Sequence, residues 1–216
     1  MRCKKIKVST FITIVIIILV GCNNSKNAID FGMYKEGVYT NTYFNLKVTI
    51  PESWYVMDDE TRIEHMKKTS KLLSGNDENL KAILNASDIN NMMLIYSSEY
   101  PTGAPVTSNP SFIITAEKVK HMPGIVRGKD YHYHTKKMME SGAIKMTFPR
   151  EIYTVQIDNI SFDVLEVLTP IRNDIIKQKQ YVAILNGYAL SLGITYSNDA
   201  DLQKLESIIS AINFDL

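Results

Sequence analysis

The feature that most narrows the fold of this chain is a pair of alternating runs joined by Asn186-Gly187. Asn-Gly is the favoured type I′ hairpin turn, because both of its central positions require positive φ. A two-residue turn also sets the register, placing Leu185 opposite Tyr188 and Ala183 opposite Leu190. Side chains alternate along a strand. Tyr181, Ala183, Leu185, Tyr188, Leu190, Leu192, Ile194 and Tyr196 therefore share one face of a hairpin over 180–185 and 188–196. A face that apolar has to be covered. The cover follows directly in the sequence: Asn198-Asp199-Ala200-Asp201 supplies helix-capping side chains. Leu202, Leu205, Ile208, Ile209 and Ile212 then recur at helical spacing, and Phe214 closes the chain.

The same patterns place the other elements. Tyr43 to Ile50 reads as a strand with Phe44, Leu46, Val48 and Ile50 on one side, broken by Pro51-Glu52-Ser53 before Trp54. A helix is expected from Asp58, with Asp58, Asp59 and Glu60 at its N-terminus, Ile63, Met66 and Leu73 inward, and Gly75 at its end. A second helix over 77–86 turns Leu80, Ile83 and Leu84 inward. Residues 92–96 and 112–119 read as strands. The Pro- and Gly-containing connection at 101–110 between them is long for a compact domain, which marks it as a candidate interaction loop. A helix over 129–141 carries Tyr131, Thr135, Met138 and Met139 on one face. Residues 152–157 and 160–168 form a second hairpin around Asp158-Asn159.

The start of the chain belongs to a different kind of segment. Arg2, Lys4, Lys5 and Lys7 precede a stretch from Val8 to Val20 in which only Ser9, Thr10 and Thr13 are polar. Thirteen residues suit the apolar region of an export signal, whereas a spanning helix needs roughly 20. Leu19-Val20-Gly21-Cys22 resembles the lipobox of bacterial lipoproteins, with an aliphatic residue at −3, a small one at −1 and cysteine at +1. The expectation is a signal at 1–21 cut between Gly21 and Cys22, with lipid of the palmitate type on the Cys22 thiol. Two acyl chains there would hold the protein stably on a membrane, at about 0.8 kcal/mol per buried CH₂. Residues 22–33 would then be a tether reaching at most about 35 Å, and 34–216 a single domain. The expected location is the extracytoplasmic side of the cell membrane. The abundance of Lys, Ile and Asn points to an AT-rich genome and a Gram-positive cell.

Composition then excludes several classes of function. Removing four leader cations from 24 Lys and Arg leaves 20 against 23 Asp and Glu, a net charge of about −3, so no strongly basic surface is available for nucleic acid. Of the two cysteines, Cys3 leaves with the leader and Cys22 carries lipid. Disulfides, thiol catalysis and cysteine-based metal sites drop out.

The order of elements, with Tyr43-Phe44-Asn45-Leu46-Lys47-Val48-Thr49-Ile50-Pro51-Glu52-Ser53-Trp54 at its start and Asn186-Gly187-Tyr188 through Tyr196 and Ile212-Asn213-Phe214 at its end, resembles the Mog1/PsbP-like fold. Within that fold it is similar to small lipoproteins of Gram-positive bacteria. The resemblance implies an α+β domain, an antiparallel sheet sandwiched between helices. It also implies a binding or assembly factor in place of an enzyme, although no residue role carries over.

The residues able to carry chemistry fit that expectation. His132 and His134 are the tightest metal-ligand pair, but on a helix i and i+2 point about 200° apart and cannot share an ion. His65 and His121 read as surface residues. Asp58-Asp59 and Asp199/Asp201 sit at helix starts, where capping accounts for them. Nucleophile elbows, H-E-x-x-H, phosphate loops and EF-hand loops are absent from the sequence. Twelve tyrosines could form a carbohydrate or peptide platform, yet most follow strand period and read as core. The expectation is no catalytic residue, no metal and no cofactor. A protein or envelope component is the expected partner. A small ligand held between the sheet and the 129–141 helix is the alternative.

Overall fold

The computed structural model describes residues 29–62, 64, 91–142, 144–171 and 174–215. The expected leader, the lipobox residues Leu19, Val20, Gly21 and Cys22, and most of the two helices expected over 58–86 lie outside the described residues. Of those helices only the beginning is described. The Asp58 carboxylate accepts the Thr61 backbone N–H at 2.9 Å and residues 59–62 are helical, as an N-cap demands.

Two antiparallel sheets are present among the described residues. The smaller contains β1 (Met33–Lys35), β2 (Val38–Asn41) and β3 (Leu46–Thr49) in that order. The larger contains β4 (Tyr55–Val56), β5 (Asn91–Ser98), β6 (Ser111–Lys118), β7 (Tyr153–Ile157), β8 (Ile160–Ile171), β9 (Asp174–Leu185) and β10 (Tyr188–Tyr196). Its spatial order is β4-β5-β6-β10-β9-β8-β7. The described helices are α1 (Gly128–Ser141) and α2 (Asp199–Ser210).

The Asn186-Gly187 hairpin has the register set by its turn. Both residues hold positive φ, at 53° and 83°, and Leu185 pairs with Tyr188, Ala183 with Leu190 and Tyr181 with Leu192. The face these residues share looks into the main core, which α2 closes with Leu205, Ile208 and Ile209. Phe44, Leu46, Val48 and Ile50 are buried in that core as their alternation requires, although regular pairing starts only at Leu46, after a turn at 42–45. The expected covering layer of helices is therefore half right: α2 shares it with β1–β3. Residues 29–33, read as tether, are already part of the fold, since Ile29 packs against the core and β1 begins at Met33.

α1 covers the other face of the large sheet. Asp163 on β8 receives the Lys129 backbone N–H at 2.7 Å and the Thr154 hydroxyl at 2.6 Å, which ties the first turn of α1 to the sheet. Gly128 makes the approach possible, because a Cβ there would stand 2.0 Å from the Val182 carbonyl oxygen.

The strands give the molecule two distinct ends. At one, the Asp158-Asn159 and Asn186-Gly187 turns meet the chain after α2: the Phe214 N–H donates to Asp158 at 3.0 Å, and Lys47 pairs with Asn213. Tyr43 joins this end through the Asn186 side chain, which donates to the Tyr43 carbonyl at 3.0 Å. At the other end lie the 99–110 connection, the start of α2 and the tip of the β8–β9 hairpin.

Candidate interaction surface

The 99–110 connection, expected to be irregular, is held by a set of specific bonds. The Asn109 side chain accepts from the Tyr100 N–H and donates to the Tyr100 carbonyl, both at 2.9 Å, so one amide bridges the loop to itself. The Glu99 N–H donates to the Pro110 carbonyl at 3.1 Å, and Ala104 closes a turn onto Pro101 at 3.1 Å. Ser108 donates to Asp201, whose carboxylate also receives the Asn198 amide at 2.9 Å. Asn198 in turn caps α2 by accepting the Asp201 N–H at 2.9 Å. Asp199 and Asp201 thus begin α2 as expected, but Asp201 is buried and also anchors the loop. Lys204 adds a salt bridge to Glu99 at 2.7 Å.

Beside this loop the β8–β9 hairpin outgrows its neighbours. β10 ends at Tyr196 opposite Lys177, whereas β9 pairs with β8 as far as Asp174 and Ile171. The overhang presents Pro170, Ile171 and Ile175. Ile171 and Ile175 are 50% and 54% exposed, and Tyr100 and Val106 on the loop are 42% and 40% exposed. Alternation in the sequence places one strand end at 168 and the next strand start at 180, short of this overhang. Alternation alone does not separate a paired strand from a hairpin that continues past its sheet.

The residues considered for chemistry are dispersed. His132 lies fully buried on the inward side of α1, with Nε2 2.9 Å from the Asp163 carbonyl oxygen, whereas His134 is exposed. Burial lowers the His132 pKa, partly offset by Asp163 and the main chain of Gln180, so the ring is a neutral packing group. His121 is exposed in a turn, and His65 lies outside the described residues. Among the described residues no group of three or more His, Cys, Asp or Glu side chains could hold a metal ion.

Further polar groups under α1 serve its docking. Tyr131 donates to the buried Glu117 at 2.6 Å, and burial with that carboxylate drives the phenol pKa well up. Helical spacing puts Tyr131 on the apolar face and marks His132 only as a metal-ligand candidate; it shows neither Glu117 nor the burial of His132, because a buried polar residue on an apolar face leaves no periodic signal. The alternative pocket between sheet and α1 is closed at its Gly128 end, where helix and sheet backbones touch.

A second polar group sits on the opposite face, beside α2. Tyr153 donates to Glu166 at 2.8 Å while the Arg150 guanidinium stacks 4.0 Å from the Tyr153 ring, and Lys179 pairs with Glu206 at 2.8 Å. Tyr181 and Tyr196 are buried in the main core, which agrees with the reading of most tyrosines as packing residues.

No protein-family model matches the chain, and no curated protein matches its sequence. Solved structures show a distant likeness to it. Cyanobacterial PsbP from Synechocystis is 12% identical, with 84% of this chain and 95% of that one covered and a TM-score of 0.49. LpqN of Mycobacterium tuberculosis, described as involved in cell envelope biogenesis, is 9% identical over 77% and 78% of the two chains, with a TM-score of 0.41. The Pseudomonas aeruginosa immunity protein TplEi, solved with an "L" peptide, is 8% identical over 84% and 99%, with a TM-score of 0.43. Values this low assign neither a family nor a function to this chain.

Proposed function

We propose that this chain is a lipid-anchored extracytoplasmic module that binds a protein or envelope partner without catalysing a reaction. The observation that carries this reading is the loop end of the large sheet. There a connection held by Asn109, Ser108 and Asp201 and an overhanging hairpin tip present Tyr100, Val106, Ile171 and Ile175 to solvent. Apolar side chains held outward on rigid backbone suit recognition, because little conformational entropy is lost when a partner covers them. The lipobox at Leu19 to Cys22 supports the anchored location, and the dispersal of the described histidines and carboxylates supports a binding role. The Mog1/PsbP-like pattern of the opening and closing motifs fits the same reading.

Crosslinking in intact cells followed by mass spectrometry tests it. A specific partner is expected with the native chain, and its yield should fall at least tenfold in a Tyr100→Ser/Ile175→Glu variant that retains the native melting temperature. A Cys22→Ala chain should lose the partner as well. The same crosslink at full yield from either altered chain would overturn the proposal.

A further inference from the structure

The first described residues carry an exposed apolar cluster of their own. Phe31, Met33 and Tyr34 are 41%, 62% and 38% exposed, and every residue from 30 to 36 is exposed. This is no frayed terminus. The Tyr39 hydroxyl donates to the Phe31 carbonyl at 2.8 Å, the Asn41 amide donates to the Asp30 carbonyl at 3.1 Å, and the Gly32 N–H donates to the Asp30 carboxylate at 3.0 Å. Gly32 itself holds a φ of +72°, and a Cβ there would meet the Thr40 carbonyl oxygen at 2.5 Å, so the backbone between Phe31 and Met33 is tightly seated. Arg62, buried and bonded to the Leu94 carbonyl at 3.0 Å, supports the Phe31 ring from below at 4.9 Å. The fold therefore holds three large apolar side chains along one exposed edge, Phe31 just before β1 and Met33 and Tyr34 on its two opposite faces. Lys35 and Glu36, beside the cluster, pair with each other at 3.7 Å, and the Asp30 carboxylate is turned onto the Gly32 N–H.

What covers this cluster follows from where the chain lies before it. Six residues, seven Cα–Cα steps, separate Cys22 from Ile29, a reach of at most about 25 Å, so an anchored Cys22 holds this edge close to the bilayer surface. Met33 pairs with Thr40, next to Asn41 and the turn at 42–45 that contacts Asn186. The cluster thus belongs to the turn side of the molecule, away from the loop end. Phe, Met and Tyr side chains are suited to the interface between headgroups and acyl chains, where an apolar body is buried and a phenol stays wet.

We infer that Phe31, Met33 and Tyr34 form a membrane-contacting surface that seats the domain on the lipid bilayer and turns the loop end outward. The inference rests on the anchored reading proposed above. Its test uses the full mature chain, lipidated and reconstituted in phosphatidylcholine/phosphatidylglycerol vesicles that carry a doxyl quencher just below the headgroups. Tryptophan is placed at Met33→Trp or, as the distal comparison, at Ile175→Trp, with buried Trp54 giving the same background in both. At least twofold stronger quenching is expected at position 33 than at 175. Equal quenching, or stronger quenching at 175, would overturn the membrane-facing assignment while leaving the anchor standing. A mature chain whose mass lacks the diacylglyceryl group would overturn the anchored reading and this inference with it.

Discussion

A single histidine carries more of this structure than its sequence context suggested. His132 is fully buried between α1 and the sheet, and burial lowers its pKa below the ordinary value of 6.5. The unfolded chain therefore binds a proton that the folded chain resists. Stability from this residue is fully present above about pH 6.5 and is lost as pH falls from there toward the folded pKa, with a slope of at most about 1.4 kcal/mol per pH unit. A His132→Gln variant keeps an amide able to donate to the Asp163 carbonyl but does not titrate. Urea unfolding between pH 7.5 and 5 should show a shallower decline for this variant than for the native chain, and parallel declines would show that His132 does not set the dependence. The residue types were in view from the start. Its burial was not, since Tyr131, Thr135, Met138 and Met139 made the more conspicuous stripe and are only half-buried.

At the level of elements, the loop at 99–110 shows how an irregular connection acquires a definite shape. The Asn109 amide replaces two backbone bonds that a strand would have supplied, and Asp201 ties the loop to α2. An Asn109→Ala variant should lose hydrogen-exchange protection at the Tyr100 amide while the β5 and β6 amides stay protected, with an overall cost of about 1–2 kcal/mol. Retained protection at Tyr100 would mean that the Glu99–Pro110 and Ala104–Pro101 bonds suffice. The sequence singled out this loop by its length and its prolines. It held no sign of the partner role of Asp201, which capping alone already explained.

For the molecule as a whole, one main core joins the two sheets. Phe44, Leu46, Val48 and Ile50 from the small sheet region, Trp54, the inner face of β5–β10, and Leu205, Ile208 and Ile209 from α2 belong to the same buried cluster. Such a core unfolds as a unit. Urea transitions followed by Trp54 fluorescence and by far-ultraviolet circular dichroism should therefore coincide. An earlier fluorescence transition would show that the β1–β3 layer melts by itself. The two ends of the sheet also divide the work proposed for the chain: a turn side bearing Phe31, Met33 and Tyr34 toward a membrane, and a loop end bearing Tyr100, Val106, Ile171 and Ile175 toward a partner.

By itself the sequence determined what depends on neighbours along the chain. Asn186-Gly187 set a hairpin register because two positive-φ residues and a period of two allow only one pairing. Asn198 and the 3–4 stripe after it set α2 for equally local reasons. The tertiary structure alone decided which surfaces meet. Phe44 to Ile50 became part of a second layer, His132 and Glu117 became supports for α1, and β8 and β9 ran past their neighbours. Residues 29–33, read as tether, became part of a seated edge. Each of these outcomes depends on partners distant in sequence, whose identity periodicity does not encode.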